Sequence, residues 1–217
     1  MRLSSIQVGK PRLIGETGSE ATPWTTGYGK QRVLGPVLLR SLNLEGDGQA
    51  DARSHGGPDM AVLAYGAGHY PLWRVELDWP GLAHGAFAEN FTVEGADEDS
   101  TCIGDIWEVG EAQLQVSEPR KPCANISRFW HRDDLLRRVE STGRIGWYMR
   151  VVREGRVEAG EEIRLLARPH PEWTVALAME ARVNKSRDPA TARRLAECPA
   201  LAADFREKLL EVKARAP

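Results

Sequence analysis

The sequence predicts a mainly β fold, a closed or strongly bent β-barrel with short helices and a small C-terminal three-helix appendage. Many short apolar segments in the first part of the chain are separated by glycine-containing turns, which is typical of barrels. After Arg168-Pro169-His170-Pro171 the pattern changes to helical spacing of apolar residues. We therefore expect a barrel domain over residues 1–170 and an appendage over residues 171–217.

The barrel elements follow from apolar runs and the turn residues between them. Residues 60–65 are almost uninterruptedly apolar, as in a strand buried on both faces. Glycines indicate where hairpins turn, at Gly110 in one case and at Gly155 and Gly160 in another. In chain order we expect a strand over 4–8, an apolar zone over 33–44, a buried strand over 60–65, a helix over 69–77, a strand over 91–93, a hairpin over 106–116, a helix over 133–140 and a hairpin joining 147–152 to 162–167.

The appendage is predicted from capping signals and amphipathic spacing. Residues 174–183 have helical spacing, and residues 201–213 are amphipathic. Pro189 suits the first position of a helix that Asp188 caps. Three short helices are therefore expected.

Composition limits the class of protein. The 217 residues have a formal net charge of −2, which argues against general nucleic-acid binding and leaves room for a local basic pocket. Three cysteines without paired spacing disfavour a disulfide framework and a zinc knuckle. The N-terminal segment lacks an apolar signal-like core, and no apolar run reaches membrane-spanning length. We expect a soluble, reducing, cytoplasmic setting with no membrane association, and the oligomeric state stays open.

Cys123 stands out because of its neighbours. Pro119 and Pro122 exclude a regular helix through this point, so the thiol is expected on a stiff loop. Arg120, Lys121 and Arg128 are close in sequence, and cations favour the thiolate, the form that reacts and binds metals. The alternative is a small buried apolar residue. Cys102 and Cys198 lack such cations and are taken as structural.

Four other polar residues lie beside glycines or at strand starts. His55 is on a glycine-rich loop, where it could act as acid, base or ligand or simply be solvated. Asn90 could bind the edge of a heterocycle or cap a turn. Lys30 could neutralise an anion or be exposed, and Asp105 is expected to bond local backbone.

Taken together, these segments resemble the MOSC family, named after the C-terminal domain of molybdenum-cofactor sulfurases. Their order and the three-helix tail are similar to its YiiM-like branch, which is associated with resistance to N-hydroxylated purines. The resemblance covers nearly the whole chain. It is carried by Leu44-Glu45-Gly46-Asp47, His55-Gly56-Gly57-Pro58-Asp59 with Ala61-Val62, Glu89-Asn90-Phe91, Cys102-Ile103-Gly104-Asp105, Pro119-Arg120-Lys121-Pro122-Cys123, Gly146-Trp147-Tyr148 and the segment from Arg168 to Val175.

The resemblance implies a β-barrel and a molybdenum–pyranopterin cofactor whose metal is bound by the Cys123 thiolate. A soft thiolate suits such a metal centre. Family membership also carries a weak association with pyridoxal phosphate binding. The residues expected to bind the cofactor or to line the substrate face are Lys30, Asp59, Asn90, Arg120 and Arg128, with His55 as the proton donor.

Three positions differ from the family pattern. Met60 stands where relatives often have lysine, and Ala88 replaces the usual glycine before Glu-Asn. The segment around Lys30 departs from the common aromatic-Lys-x-Pro pattern.

The resemblance implies a detoxifying oxidoreductase that reduces N-hydroxylated compounds, such as hydroxylaminopurines or amidoximes, to amines or amidines. The metal would remove the oxygen atom, while Cys123 holds the metal. No flavin fingerprint or iron–sulfur cysteine cluster is present, so electrons are expected from a separate reductase, with the C-terminal helices as a docking surface. Two alternatives stay open: sulfur transfer through a Cys123 persulfide, and a non-catalytic carrier of the cofactor.

Overall fold

The computed structural model describes residues 1–15, 22–51 and 56–211. Within these ranges the strands are β1 (Arg2–Val8), β2 (Arg12–Ile14), β3 (Trp24–Thr26), β4 (Gln31–Arg32), β5 (Val37–Leu39), β6 (Val62–Gly66), β7 (Phe91–Glu94), β8 (Ile106–Val109), β9 (Ala112–Pro119), β10 (Trp147–Arg153), β11 (Gly155–Val157) and β12 (Ile163–Ala167). The helices are α1 (His69–Glu76), α2 (Asn125–Trp130), α3 (Leu135–Thr142), α4 (Val175–Val183), α5 (Pro189–Ala196) and α6 (Ala203–Leu210), and a 3-10 turn covers Pro58–Met60.

Eight strands form one curled sheet. Their order is β12-β8-β9-β10-β6-β7-β1-β4, and β6 with β7 is a parallel pair within this otherwise antiparallel sheet. The start of β12 returns to β1: the Leu3 amide donates to the Glu161 carbonyl (2.9 Å) and the Ile163 amide to the Met1 carbonyl (2.9 Å). The predicted mainly β, strongly bent architecture is confirmed.

Strand β6 is buried on both faces, as its apolar run predicts. Val62 and Ala64 belong to the larger hydrophobic core inside the curled sheet. Tyr65 faces a second core, which it shares with Tyr70 and Trp73 of α1. The strand therefore separates two packed layers, which is why it carries no polar face.

The C-terminal helices pack directly against β9. The Ala202 amide donates to the Ser117 carbonyl (3.0 Å), and the core of the barrel continues into apolar side chains of α4, α5 and α6. The predicted Asp188 cap is confirmed, because Asp188 Oδ1 accepts from the Thr191 amide (3.1 Å), and Thr174 Oγ1 likewise accepts from the Leu177 amide (3.1 Å) at the start of α4. The end of β9 is thus held between the barrel and the helices.

The predicted hairpin joining 147–152 to 162–167 is wrong. Strand β10 pairs with β9 and β6, so both of its edges are already occupied. Strand β12 pairs instead with β8, and the intervening β11 pairs with β5. Gly160 has the positive φ of a turn residue, whereas Gly155 is the first residue of β11, and neither glycine selects the partner strand.

The other predicted barrel elements are confirmed with shifted ends. The hairpin of β8 and β9 turns at Gly110, and β9 extends to Pro119. Helices α1 and α3 occupy the expected regions, whereas α2 was not expected. Within the described ranges, none of the helices combines the length and the apolar character that crossing a membrane requires.

Candidate functional site

Cys123 lies in the short loop between the end of β9 and the start of α2. Its position on a loop agrees with the effect of the two prolines that precede it. The loop is tightened because the Ile126 amide donates to the Cys123 carbonyl (3.2 Å). The side chain is half-buried, so the thiol is supported by the fold and reachable from outside.

The thiol borders a cleft, here called the cysteine cleft, at one end of the curled sheet. Its walls come from the segment before β4, the turn after β5, the start of β6 and the β9–α2 loop. Its described lining residues are Thr25, Thr26, Gly27, Tyr28, Lys30, Asp47, Gly48, Gln49, Ala50, Asp51, Met60, Leu63, Ala88, Asn90, Arg120, Cys123, Asn125 and Tyr148.

Arg120 supplies a buried positive charge to the cysteine cleft. Its side chain donates from Nη2 to the hydroxyl of Tyr28 (2.8 Å), while Nη1 has no hydrogen-bond partner among the described residues. Its amide donates to the carbonyl of Gly146 (3.0 Å). Gly146 passes so close to β6 that a Cβ there would lie 2.5 Å from the Ala64 carbonyl oxygen. The backbone therefore fixes where the guanidinium stands.

Among the described residues, Arg120 forms no ion pair with a carboxylate, and the acidic groups that act on it are tyrosine hydroxyls and a thiol. Burial acts to lower the pKa of Arg120, but Tyr28, Tyr148 and Cys123 outweigh it and raise the pKa. Burial raises the pKa of Tyr28 to about 12, although Arg120 opposes that shift. Burial also raises the pKa of Tyr148. Both tyrosines are therefore neutral hydroxyls at ordinary pH, and Arg120 keeps a charge that an anionic ligand could neutralise.

Lys30 lines the cleft but is not a free cation. Its Nζ forms a short ion pair with Asp47 Oδ1, and both side chains are nearly buried. The Gly9 amide also donates to Asp47 Oδ1 (2.8 Å). The alternative of an exposed lysine does not apply, because Lys30 is part of an internal network that closes one wall of the cleft.

Asn90 belongs to the same network. Its Nδ2 donates to the Gln7 carbonyl (3.2 Å) and to Asp47 Oδ2 (2.8 Å), and its Oδ1 accepts from the Leu63 amide (3.0 Å). These bonds tie β1, β6 and the turn after β5 together. Both amide hydrogens are thus occupied within the protein, which leaves the carbonyl oxygen with one further acceptor position.

The remaining predicted residues fall elsewhere. Asp59 pairs with Nε of Arg150 (2.7 Å) outside the cysteine cleft. Arg128 is exposed, donates to the Thr22 carbonyl (2.6 Å) and lies over the ring of Trp24 at 4.5 Å. His55 lies outside the described residues. The structure therefore groups Cys123, Arg120, Lys30 and Asn90 and leaves Asp59 and Arg128 apart.

A second cleft, here called the helical cleft, opens on another side of Cys123, between the end of β9 and the C-terminal helices. Glu118 lies in it, with its side chain buried and Oε1 lacking a hydrogen-bond partner among the described residues. Burial raises the pKa of Glu118 to about 7. The described lining residues are Met60, Glu118, Pro119, Lys121, Pro122, Cys123, Tyr148, Arg182, Lys185, Lys208 and Glu211.

Sequence reasoning missed Tyr28, Tyr148 and Glu118. The glycines that bracket Tyr28 and the Gly146-Trp147-Tyr148 segment of the family resemblance were available signals for the tyrosines. No sequence signal marked Glu118, because polar residues are common near strand ends and this one is buried only by helices that are distant in sequence. The C-terminal cations of the helical cleft are likewise far away in sequence.

The other cysteines and Asp105 have internal surroundings. Cys102 and Cys198 are buried, and burial raises the pKa of both thiols. Asp105 Oδ2 accepts from the Cys102 amide (3.0 Å), which is the expected local bond. Neither cysteine lines the cysteine cleft or the helical cleft.

The cysteine cleft offers one accessible thiol and a buried arginine rather than a full set of metal ligands. Within the described ranges, no cluster of three or more His, Cys, Asp or Glu side chains could hold a metal ion. One accessible sulfur suits a metal that arrives with most of its ligands supplied by a cofactor. The unpartnered Nη1 of Arg120 suits an anionic group of that cofactor. The residues present therefore fit a molybdenum–pyranopterin.

Comparisons with known proteins agree with this fold. The family model of the MOSC domain matches residues 51–164, and that of the YiiM-like 3-alpha helix domain matches residues 173–211. The uncharacterized protein YflK of Bacillus subtilis is 37% identical over 211 residues, which cover 97% of this chain and 94% of that protein. A protein named "Reductase" from Gibberella moniliformis is 41% identical over 182 residues, covering 82% of this chain but 31% of that longer protein.

A solved structure supports the same assignment. The crystal structure of YiiM from Geobacillus stearothermophilus superposes with a TM-score of 0.80 and 32% sequence identity, covering 96% of each chain. The chain therefore belongs to the MOSC family, and its C-terminal helices form a YiiM-like three-helix domain.

Proposed function

We propose that this chain is a molybdenum-cofactor oxidoreductase that reduces N-hydroxylated compounds, such as hydroxylaminopurines and amidoximes, to the amine or amidine. One observation carries the proposal: the reachable thiol of Cys123 shares a cleft with a buried arginine whose Nη1 is unpartnered among the described residues. A protein that only needed Cys123 and Arg120 for packing would bury the thiol and satisfy the guanidinium.

The residues of the chain have distinct tasks in this proposal. Cys123 holds the metal and Arg120 binds an anionic group of the cofactor. When bound, the cofactor supplies the two-electron chemistry that removes the oxygen from nitrogen. The network of Lys30, Asp47 and Asn90 keeps the cleft wall in place, since these three side chains bind one another.

The reaction also needs protons. Reduction of an N–OH group to N–H consumes two electrons and two protons and releases one water, so a group of the protein has to deliver a proton to the departing oxygen. His55, which precedes Gly56 and Gly57 in the sequence, remains the proposed donor.

Electrons are proposed to come from a separate reductase that docks on the C-terminal helices. The fungal relative supports this division, because a domain like this chain makes up 31% of a longer protein named "Reductase". The exposed apolar side chains of Leu177, Val183 and Leu210 on these helices would suit such a contact. We place the reaction in the cytoplasm, where the three free thiols would persist.

Pyridoxal phosphate is not part of the proposal. That cofactor usually forms a Schiff base with a lysine. Among the described lining residues of the cysteine cleft, Lys30 is the lysine, and its Nζ is held by Asp47.

Turnover tests the proposal. The full chain, loaded with cofactor and supplied with a chemical reductant, should convert hydroxylaminopurine to aminopurine. Cys123→Ser should abolish turnover, whereas Cys198→Ala, which alters a buried thiol outside both clefts, should retain it. Equal turnover by Cys123→Ser would refute the proposal, and persulfide formation on Cys123 without molybdenum would favour sulfur transfer instead.

A further inference from the structure

The helical cleft reaches the reactive position from a different side than the cysteine cleft. The two clefts share Met60, Cys123 and Tyr148 in their walls. A molecule in the helical cleft therefore lies beside the same thiol without occupying the surroundings of Arg120. This arrangement would allow cofactor and substrate to approach Cys123 by separate routes.

The walls of the helical cleft are rich in cations. Lys121 comes from the loop before Cys123, Arg182 from α4, Lys185 from the segment after it and Lys208 from α6. Lys208 Nζ is 3.9 Å from Asp204, and Arg182 lies over the ring of Phe205 at 4.8 Å. Lys185 Nζ also donates to the Lys208 carbonyl, which brings these two lysines together. Among the described lining residues of the helical cleft, the four cations outnumber the two carboxylates, Glu118 and Glu211.

Glu118 is the second, independent feature of this cleft. It is 3% exposed, and Oε1 has no partner among the described residues. Buried polar atoms in proteins nearly always have a partner, so an unpaired oxygen in a cleft wall indicates a position that a ligand can fill. Burial disfavours the Glu118 carboxylate most; Arg182 and Lys208 stabilise it, while Asp59 and Asp204 act against it.

We propose that the helical cleft binds the phosphate of an N-hydroxylated nucleoside monophosphate, which would make nucleotides the preferred substrates of the proposed reaction. The inference rests on the proposed function for the reacting end of the ligand. A phosphate monoester is close to dianionic at neutral pH and has three acceptor oxygens, which several cations converging on one cleft can bind. The protonated carboxyl of Glu118 donates the remaining hydrogen bond.

Binding is coupled to protonation of Glu118. An anion beside the carboxyl disfavours its charged form, so the complex takes up a proton when Glu118 starts out ionised. Affinity should therefore fall as the pH rises above neutrality. Glu118→Gln keeps a donor in place and removes the titration, so it should bind with a flatter pH profile than the native chain. Titration of the phosphate itself affects both proteins equally.

The test measures binding of adenosine monophosphate and of adenosine to the purified full chain by calorimetry, without turnover. The monophosphate should bind at least roughly tenfold more tightly than adenosine, and Lys121→Gln/Lys208→Gln should remove roughly that factor. Arg193→Gln on α5 changes an exposed cation outside both clefts and should bind like the native chain. If the double variant unfolds, Lys121→Gln alone, on an exposed loop, should weaken binding in the same direction.

Two results would overturn the inference: equal affinity for the nucleoside and its monophosphate, or equal affinity of the native chain and the folded lysine variants. Loss of cofactor from the lysine variants, with no binding of the monophosphate to the native chain, would instead assign the phosphate to the cofactor. Nucleotide binding without reduction of N-hydroxyl groups would leave the site intact and refute the proposed function.

Discussion

Ala88 is held in a left-handed backbone conformation, with φ of 63°. The turn around it is fixed by the buried carboxylate of Glu89, which accepts from the amides of Gly85 (2.7 Å) and Phe87 (3.2 Å). An alanine costs about 1–2 kcal/mol in this region, whereas glycine adopts it freely. The family's usual glycine at this position therefore has a conformational reason.

Replacing Ala88 with glycine should stabilise the protein. Relief of the strain exceeds the extra entropy that glycine gives the unfolded chain, so we expect a gain of about 0.5–1 kcal/mol in the free energy of unfolding. Urea denaturation measures it. Ala190→Gly in α5 is the matched control and should destabilise, because there the residue is helical. A loss of stability in Ala88→Gly would contradict the account of this turn.

Glu118 should make stability depend on pH. Its pKa of about 7 in the folded protein lies above that of an exposed glutamate. The native state therefore keeps a proton that the unfolded chain releases, and the stability from this proton is full below about pH 4.5 and is lost as the pH rises to about 7.

Glu118→Gln removes this dependence. The difference in the free energy of unfolding between the variant and the native chain should shift in favour of the variant by about 2 kcal/mol when the pH rises from about 5 to about 8. Denaturant titrations at the two pH values test this. Glu108→Gln is the control: hydrogen bonds from Gln113, Arg164 and Arg153 hold the pKa of Glu108 below its usual value, so this carboxylate stays ionised from about pH 5 to about pH 8 and the variant's difference from the native chain should not change. If the native chain and Glu118→Gln differed in free energy of unfolding by the same amount at the two pH values, the burial assigned to Glu118 would be refuted.

At the residue scale, the sequence could predict what local chemistry determines. Two prolines just before Cys123 forbid a helix there, so its loop position followed from the local sequence. The ion pair of Lys30 with Asp47 could not be predicted, because the partners are brought together by the turn after β5. The sequence allowed Asn90 either to bind the edge of a heterocycle or to cap a turn. Its three internal hydrogen bonds could not be predicted, because they depend on segments that are far apart in sequence.

At the element scale, the segment between the barrel and the helices is held by a buried ion pair together with backbone hydrogen bonds such as that from the Ile103 amide to the Trp173 carbonyl (2.8 Å). Arg168 donates to both carboxylate oxygens of Asp105, from Nε (2.9 Å) and Nη2 (2.7 Å). Asp105 is fully buried, whereas the Arg168 side chain is partly exposed. The pair joins the end of β12 to the loop before β8, so it positions the start of the appendage.

Arg168→Gln should therefore destabilise the protein by about 2 kcal/mol, since it leaves the buried Asp105 carboxylate without its cation. Thermal or urea unfolding measures the change. Arg164→Gln on β12 is the control, because Arg164 pairs with Glu108 at the surface and its removal should have little effect. If both arginines proved equally dispensable, Asp105 and Arg168 would not fix this segment.

Pairing between elements was harder to predict than the elements themselves. The strands β10 and β12 were expected in the right regions, but their mutual pairing was wrong. An apolar run with glycine turns specifies that a strand forms and not which of several edges it joins. Here β10 has β9 and β6 on its two sides, which leaves β12 to extend the sheet through β8.

At the scale of the whole molecule, Cys123 lies where the barrel and the C-terminal helices meet. The end of β9 places Glu118 in the helical cleft, and the loop after it places Arg120 and Cys123 in the cysteine cleft. Periodicity predicted three helices at the C-terminus. Their packing on β9, which creates the helical cleft, depends on a core shared by residues more than fifty positions apart and was not predictable.

The molybdenum content of the purified chain tests the central claim most directly. After anaerobic purification from a host that makes the cofactor, the native chain and Cys198→Ala should carry near-stoichiometric molybdenum and pterin, and Cys123→Ser should carry almost none. Retention of full molybdenum by Cys123→Ser, or no molybdenum in the native chain even after reconstitution with the cofactor, would contradict the account.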